Sequence, residues 1–216
     1  MNMHLDRILP IVVPLLRYTL RPKQAKREAQ FRAAPPEPGR VVFLGDSITE
    51  WTDWATWFPE LPTTNRGIGG QAIGDVLKRL DSAIVAPQAV SLLIGTNDLH
   101  GLGKSRAVSE IAAQMATLVE RIRTMAPSAS LFVNGVLPRS ALFRDRIVNL
   151  NAEYRRIADA VGATYVDTWP ALAGVDGVLR PELAADGLHL SLEGYRAWVA
   201  VLRPHLAPFA CGRRDA

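Results

Sequence analysis

Four short apolar runs, none of which alternates with polar residues, constrain the fold of this chain more than any other feature of its sequence. They lie at residues 40–45, 89–95, 130–136 and 163–167, and each contains β-branched residues. Strands that are apolar on both faces are typical of a parallel sheet covered by helices on both sides. The sequence therefore predicts strands at these four positions in a mainly parallel sheet.

Helical patterns alternate with the predicted strands. Apolar residues recur at steps of three and four from Val108 to Met125 and again from Ile147 to Val161, which places them on one face of a helix. Ser191 is a suitable N-cap for a helix that ends at Pro204. This alternation predicts an α/β layer structure, in which functional groups gather beyond the carboxyl ends of the strands. We expect one domain over residues 39–210, followed by a tail at 211–216.

Residues 1–38 are expected to form an N-terminal arm. Its apolar stretch at residues 8–16 contains Pro10 and Pro14 and is shorter than the roughly 20 residues of a membrane-spanning helix. A basic run follows, and the Pro-rich residues 33–39 are typical of a stiff linker. Three predictions stay open for the arm: it packs over the body, it is a frayed terminus, or residues 8–32 make peripheral contact with a membrane.

The distribution of charge and the cysteine content argue against several classes of function. The net charge is +4, but residues 1–40 hold eight Lys/Arg against three Asp/Glu, whereas residues 41–216 hold 17 against 18. The body is therefore close to neutral, and it lacks the basic, aromatic-rich surface pattern that nucleic-acid binding requires. The single cysteine, Cys211, excludes an internal disulfide and a multi-cysteine zinc site, and it fits a cytoplasmic protein.

A serine stands just after the first predicted strand, in VVFLGDSITEW at residues 41–51. Ser47 is a weak nucleophile unless a base removes its proton. His189 is a suitable base because Asp186, three residues earlier in AADGLHL, can reach its imidazole and fix its tautomer. Taken singly, Ser47 also fits a helix cap or a turn, and Asp186 and His189 also fit an ordinary loop.

Two further loops offer hydrogen-bond donors for a developing oxyanion. NRGIGGQ, at residues 65–71, supplies backbone N–H groups, and IGTND, at residues 94–98, supplies the Asn97 amide. GIGGQA also matches the G-x-G-x-x-A pattern of dinucleotide-binding loops. That pattern requires a strand directly before it, and the preceding ELPTTNR does not resemble one.

Taken together, these blocks resemble the SGNH hydrolase superfamily, also called GDSL esterases/lipases. GDSIT resembles its nucleophile block, NRGIGGQ its glycine block, GTND its asparagine block and DGLHL its Asp-x-x-His block, all in the family's order. Within the family, the GIGG block is most similar to the branch that contains the platelet-activating-factor acetylhydrolase catalytic subunits. Ile48 replaces the leucine of the GDSL name.

The resemblance implies a flavodoxin-like three-layer α/β/α fold and a serine esterase that hydrolyses small carboxylic esters with short, acetyl-type acyl groups. It assigns a triad of Ser47, Asp186 and His189, and an oxyanion hole formed by the amides of Ser47, Gly70 and Asn97. No cofactor or metal is implied. A thioesterase, a carbohydrate O-deacetylase or an acyltransferase would use the same residues, and an inactive binding protein on this scaffold is the alternative from another class.

The aromatic residues that follow the serine allow two interpretations. Trp51 and Trp54 either pack in the core or form walls of the substrate pocket. Leu142 and Phe143, in PRSALFRDR at residues 138–146, are further candidates for that pocket.

Overall fold

The computed structural model describes residues 5–100 and 106–210, and for residues 5–18 and His100 it describes the backbone only. His4 and the predicted tail at 211–216 lie outside the described residues. Five strands form one sheet: β1 (Val41–Gly45), β2 (Thr63–Gly67), β3 (Ala89–Leu93), β4 (Ser130–Asn134) and β5 (Thr164–Val166). Their order is β2-β1-β3-β4-β5, and every pair is parallel.

The strand order reverses at the boundary between β1 and β3, where Gly45 pairs with Leu93 at the carboxyl ends. Chains leaving the two strands there turn to opposite sides, which opens a crevice at the sheet edge. Ser47 follows β1 and Asn97 follows β3, so both predicted site residues lie at this crevice.

Helices cover both faces of the sheet. In chain order they are α1 (Leu5–Ala33), α2 (Ser47–Glu50), α3 (Trp54–Trp57), α4 (Ile73–Leu77), α5 (Val108–Met125), α6 (Ala141–Ala160), α7 (Trp169–Leu172) and α8 (Leu192–Leu206). Alternate residues of β1 enter two separate cores: Val42 and Leu44 pack with α4, α5 and α6, whereas Val41 and Phe43 pack with α3 and α8. The predicted three-layer α/β/α fold is confirmed.

The second half of α1 packs over the body. Phe31 is buried, with the Arg66 guanidinium 4.5 Å from its ring centroid. Arg66 Nη2 also donates to the Ala34 carbonyl over 2.7 Å, which fastens the end of the helix. No helix within the described ranges is long and apolar enough to cross a bilayer. Membrane contact through residues 8–32 stays a prediction.

Two expectations from the sequence are wrong. β2, at Thr63–Gly67, lies within a stretch judged unlike a strand. It is an edge strand with half-buried residues, so it lacks the apolar run that marks the central strands. In addition, α8 begins after the predicted Ser191 cap but continues through Pro204 to Leu206. A proline this near the end of a helix removes only one terminal hydrogen bond.

Candidate active site

Ser47 lies where β1 ends and α2 begins. The Asp46 carboxylate caps α2 by accepting the Ile48 N–H over 3.0 Å, and this fixes the first turn beneath the serine. Gly45 makes the tight entry possible, because a Cβ there would lie only 2.2 Å from the Leu93 carbonyl oxygen. Ser47 is therefore held rigidly at the crevice, with 5% of its surface exposed.

His189 and Asp186 lie on a loop closed by a bridge between Ala184 and Leu190, here called the histidine loop (residues 184–190). Asp186 Oδ1 accepts the His189 N–H over 2.7 Å, and its Oδ2 lies 2.7 Å from His189 Nδ1. On the other side of the ring, Nε2 lies 2.9 Å from Ser47 Oγ. The structure thus brings the three predicted residues into one hydrogen-bonded row.

The charge of Asp186 sets the tautomer of His189. Asp186 is largely exposed, and the slight burial that it has acts to raise its pKa, but hydrogen bonds from the His189 side chain and backbone outweigh this and leave the pKa below its usual value. An ionised carboxylate only accepts hydrogen bonds, so Nδ1 carries the proton toward it. Nε2 is then left with its lone pair directed at the serine hydroxyl.

Residues 67–72, here called the glycine loop, lie beside the serine. A Cβ on Gly69 would be 3.5 Å from Ser47 Cβ, so the loop passes within contact distance of the nucleophile position. Gly70 adopts φ +75°, which an L-residue with a side chain rarely adopts. Gly70 thus follows Gly69 in a turn that requires glycine, and the role of its amide in the oxyanion hole stays a prediction.

The loop after β3 holds the far end of the glycine loop. Asn97 Nδ2 donates to the Gln71 carbonyl over 3.0 Å, and the buried Asp98 carboxylate accepts the Ile73 N–H over 3.1 Å. Arg79 Nε donates to the Gln71 side-chain oxygen over 2.6 Å. The Asn97 amide and Gly70 thus flank the same turn.

Helix α1 holds the near end of the glycine loop. Gln24 Nε2 donates to the Gly69 carbonyl and Arg27 Nε to the Gly67 carbonyl, each over 2.7 Å. Arg27 also pairs with Glu50 at 3.1 Å, and Glu50 Oε2 accepts the Gly69 N–H over 2.5 Å. Sequence reasoning missed this role of the arm, because side chains that bond distant backbone groups leave no local pattern.

Comparison with known proteins identifies the family. The model of the GDSL-like Lipase/Acylhydrolase family matches residues 43–197, which is more than half of the chain and includes every site residue named so far from β1 to the histidine loop. The chain belongs to this family. It is an ester hydrolase, and the resemblance read from its motifs is confirmed.

Relatives within the GDSL-like family agree with this. The platelet-activating factor acetylhydrolase IB subunit alpha1 of Homo sapiens is 30% identical over 166 residues, which cover 72% of this chain and 70% of the human protein. A Streptococcus pneumonia protein described as a candidate platelet activating factor superposes with a TM-score of 0.81 at 29% identity, covering 91% of this chain and 98% of that one. A GDSL-like lipase of Bacteroides thetaiotaomicron has a TM-score of 0.72 at 26% identity, covering 85% and 97%.

The sequence argument against dinucleotide binding at the glycine loop, that no strand precedes it, does not hold in the structure. The required strand is present, as β2. However, the start of α4, where a pyrophosphate would bind, is already occupied: the Asp98 carboxylate accepts the Ile73 N–H. Within the described ranges, no three His, Cys, Asp or Glu side chains are grouped to hold a metal.

Near the GDSL serine, Asp46 and Arg139 are both buried, and the burial of Arg139 was not anticipated from the sequence. Burial, followed by the nearby Asp98 charge, raises the pKa of Asp46 to about 7, against the hydrogen bond from Ile48 and the charge of Arg139. Arg139 is itself buried, and its Nη1 donates to Thr96 Oγ1 over 3.3 Å. Asp46 belongs to the GDSIT block, whereas Arg139 has no periodic or motif signal that would mark it as buried.

The four candidate pocket residues differ in burial and in the residues that they contact. Trp51 is 60% exposed and lies against His189, with ring centroids 4.0 Å apart. Trp54 is a core residue that stacks on Phe43 at 3.8 Å, so its assignment to the pocket is wrong. Leu142 is exposed, whereas Phe143 is buried beneath the Arg139 guanidinium, and their place in the pocket stays a prediction.

Proposed function

We propose that the protein hydrolyses carboxylic esters with short, acetyl-type acyl groups through an acyl-enzyme formed on Ser47. The observation that carries this proposal is the hydrogen-bonded row from Ser47 Oγ through His189 to Asp186. The name of the human relative, an acetylhydrolase, supports a small acyl group. An inactive binding protein would not need a serine, a base and an orienting carboxylate at hydrogen-bond distances.

In the first half of the reaction, Ser47 Oγ forms a bond to the ester carbonyl carbon while His189 Nε2 takes the hydroxyl proton. The negative charge that develops on the carbonyl oxygen is stabilised by the amides of Ser47, Gly70 and Asn97. The bond to the leaving oxygen then breaks, and His189 gives its proton to that oxygen. An alcohol departs and an acyl-serine remains.

In the second half, water repeats these steps. His189 takes a proton from water as its oxygen bonds to the acyl carbon, and then returns a proton to Ser47 Oγ as the acyl group leaves as a carboxylic acid. Asp186 stabilises the imidazolium in both halves and keeps Nδ1 protonated. Ser47 and His189 end in their starting states.

Initial rates on p-nitrophenyl acetate, butyrate, octanoate and palmitate would test the proposal, with Ser47→Ala beside the wild type. We expect the highest kcat/KM on acetate or butyrate, and a loss of at least about 10³-fold in kcat for Ser47→Ala. Turnover that survives the substitution would contradict the role of Ser47. Folded protein without turnover on these esters would direct the same comparison to thioesters and acetylated sugars.

A further inference from the structure

A cleft separates α1 from α2 on the outer side of the glycine loop, with a volume of about 140 Å³. It is lined by residues of α1 on one side and by α2, Trp51 and the glycine loop on the other: Leu20, Lys23, Gln24, Arg27, Glu50, Trp51, Ile68 and Gly69. No motif of the family assigns a role to the α1 wall, which lies before the matched residues 43–197.

The cleft lies close to the reacting groups. Its lining residue Gly69 is close enough to the serine that a Cβ there would lie 3.5 Å from Ser47 Cβ. Trp51, which also lines the cleft, lies 4.0 Å from the His189 ring between centroids. Gly69 thus lies between the cleft and the nucleophile, and Trp51 between the cleft and the base, so a group bound in the cleft would lie one residue away from each.

The position of the base indicates which part of an ester belongs there. His189 protonates the leaving oxygen, so the alcohol portion must lie on the side of the imidazole, where Trp51 lies. The carbonyl oxygen points instead toward Gly70 and Asn97. On the basis of the proposed function, we propose that the cleft between α1 and Trp51 binds the alcohol portion of the ester, and that Leu20 limits its size.

The chemistry of the cleft selects an apolar alcohol. Leu20 and Trp51 supply apolar surface. The polar groups beside them are already used: Gln24 donates to the Gly69 carbonyl, and Glu50 pairs with Arg27. The exposed Lys23 stands at the rim. The ligand class is a short aliphatic or aromatic alcohol esterified to a small acyl group.

Leu20 also touches the oxyanion side of the site, since a Cβ on Gly70 would lie 2.8 Å from Leu20 Cδ1. A substitution at Leu20 can therefore shift Gly70 and change all rates together. The informative readout is the selectivity ratio between two esters of one variant, because a uniform change in catalysis cancels from that ratio.

The test measures kcat/KM on two ester series. One keeps the acetyl group and changes the alcohol from methanol to butanol to benzyl alcohol, and the other keeps methanol and changes the acid from acetic to butyric to hexanoic. Leu20→Trp fills the cleft and Leu20→Ala widens it. Ala29→Trp is the matched control, because it adds the same ring at an exposed position of α1.

We expect Leu20→Trp to lower the ratio of benzyl acetate to methyl acetate by about tenfold or more, the scale for a hydrophobic pocket that no longer fits its group. Leu20→Ala should raise that ratio, and Ala29→Trp should leave it within about twofold. The acyl series should keep its ratios in all variants. If Leu20→Trp does not fold, as judged by circular dichroism, Leu20→Ala carries the test alone.

Changed ratios in the acyl series alone would overturn the assignment and place the acyl group in the cleft. Unchanged ratios in both series, with wild-type turnover intact, would overturn the subsite and leave the proposed function standing. Absence of turnover by the wild type on every ester of both series would overturn both.

Discussion

The histidine loop and the glycine loop flank the same serine, but they are held in place in opposite ways. Asp186 is exposed and orders the histidine loop through its own neighbours, the backbone and side chain of His189. The glycine loop is instead fastened from three separate elements: Gln24 on α1, Glu50 on α2 and Asn97 after β3.

The difference follows from the kinds of group that each loop presents. A base is a side chain, and one carboxylate three residues away can orient it. A backbone N–H can be aimed only by fixing the path of the chain on both sides, which requires contacts from elsewhere in the fold. Substitutions in the histidine loop should therefore lower kcat and leave Tm almost unchanged. Substitutions around the glycine loop should lower both kcat and Tm.

The largest effect is expected from Asp186→Asn. An amide in this place can donate to Nδ1 and favour the wrong tautomer, so kcat should fall by about 10⁴-fold. Because Asp186 is exposed, Tm should change by no more than about 2 °C. Steady-state rates on p-nitrophenyl acetate and a thermal melt test both statements, with the exposed Asp81→Asn as control. A large decrease in Tm would contradict the proposed difference between the two loops.

Asn97→Ala should have the next largest effect. Loss of one oxyanion donor lowers kcat by about 10²–10³-fold. Tm should also fall, since the substitution releases the Gln71 carbonyl from its hydrogen bond. The exposed Asn149→Ala is the matched control for both measurements. A kcat within twofold of wild type would remove Asn97 from the oxyanion hole.

The same contrast explains which contacts and strands could be predicted from the sequence alone. Asp186 and His189 are three residues apart, and their contact is local, so the motif is enough to predict it. The central strands were predictable because burial on both faces leaves apolar runs. β2 was not, because an edge strand with the sequence TTNRG needs no such run. The contacts of Gln24 and Arg27 join residues about 40 positions apart, and no periodic pattern encodes such a distance.

Gln24→Ala tests how much the hydrogen bond from α1 contributes to positioning the glycine loop. Removing the donor to the Gly69 carbonyl loosens the glycine loop without removing any group that contacts the oxyanion. A single hydrogen bond of about 0.5–1.5 kcal/mol corresponds to a loss of roughly two- to tenfold, which should appear in kcat more than in KM for methyl acetate. The exposed Gln30→Ala on the same helix should have no effect. A change in KM alone would argue against a role in positioning the loop.

The smallest effect on turnover is expected from Asp46→Asn, which belongs to neither loop. Burial raises the pKa of Asp46 to about 7, so between about pH 4 and pH 7 the folded protein keeps a proton that the unfolded chain has lost. The free energy of unfolding of the wild type should therefore fall as pH rises through this window. Above about pH 7, Asp46 should cause no further fall. The substituted amide keeps an oxygen to cap α2 and does not ionise, so the variant should lack this loss, a difference of up to about 3 kcal/mol.

Urea unfolding at pH 4.5 and 7.5 measures the effect of Asp46→Asn on stability, with the exposed Asp81→Asn as control. The kcat of Asp46→Asn should stay within about threefold of wild type, because Asp46 caps α2 and lies outside the hydrogen-bonded row of Ser47, His189 and Asp186. Identical pH dependence of unfolding in the wild type and the variant would mean that Asp46 is ionised throughout. Arg139 would then compensate the burial of Asp46 more fully than the raised pKa implies.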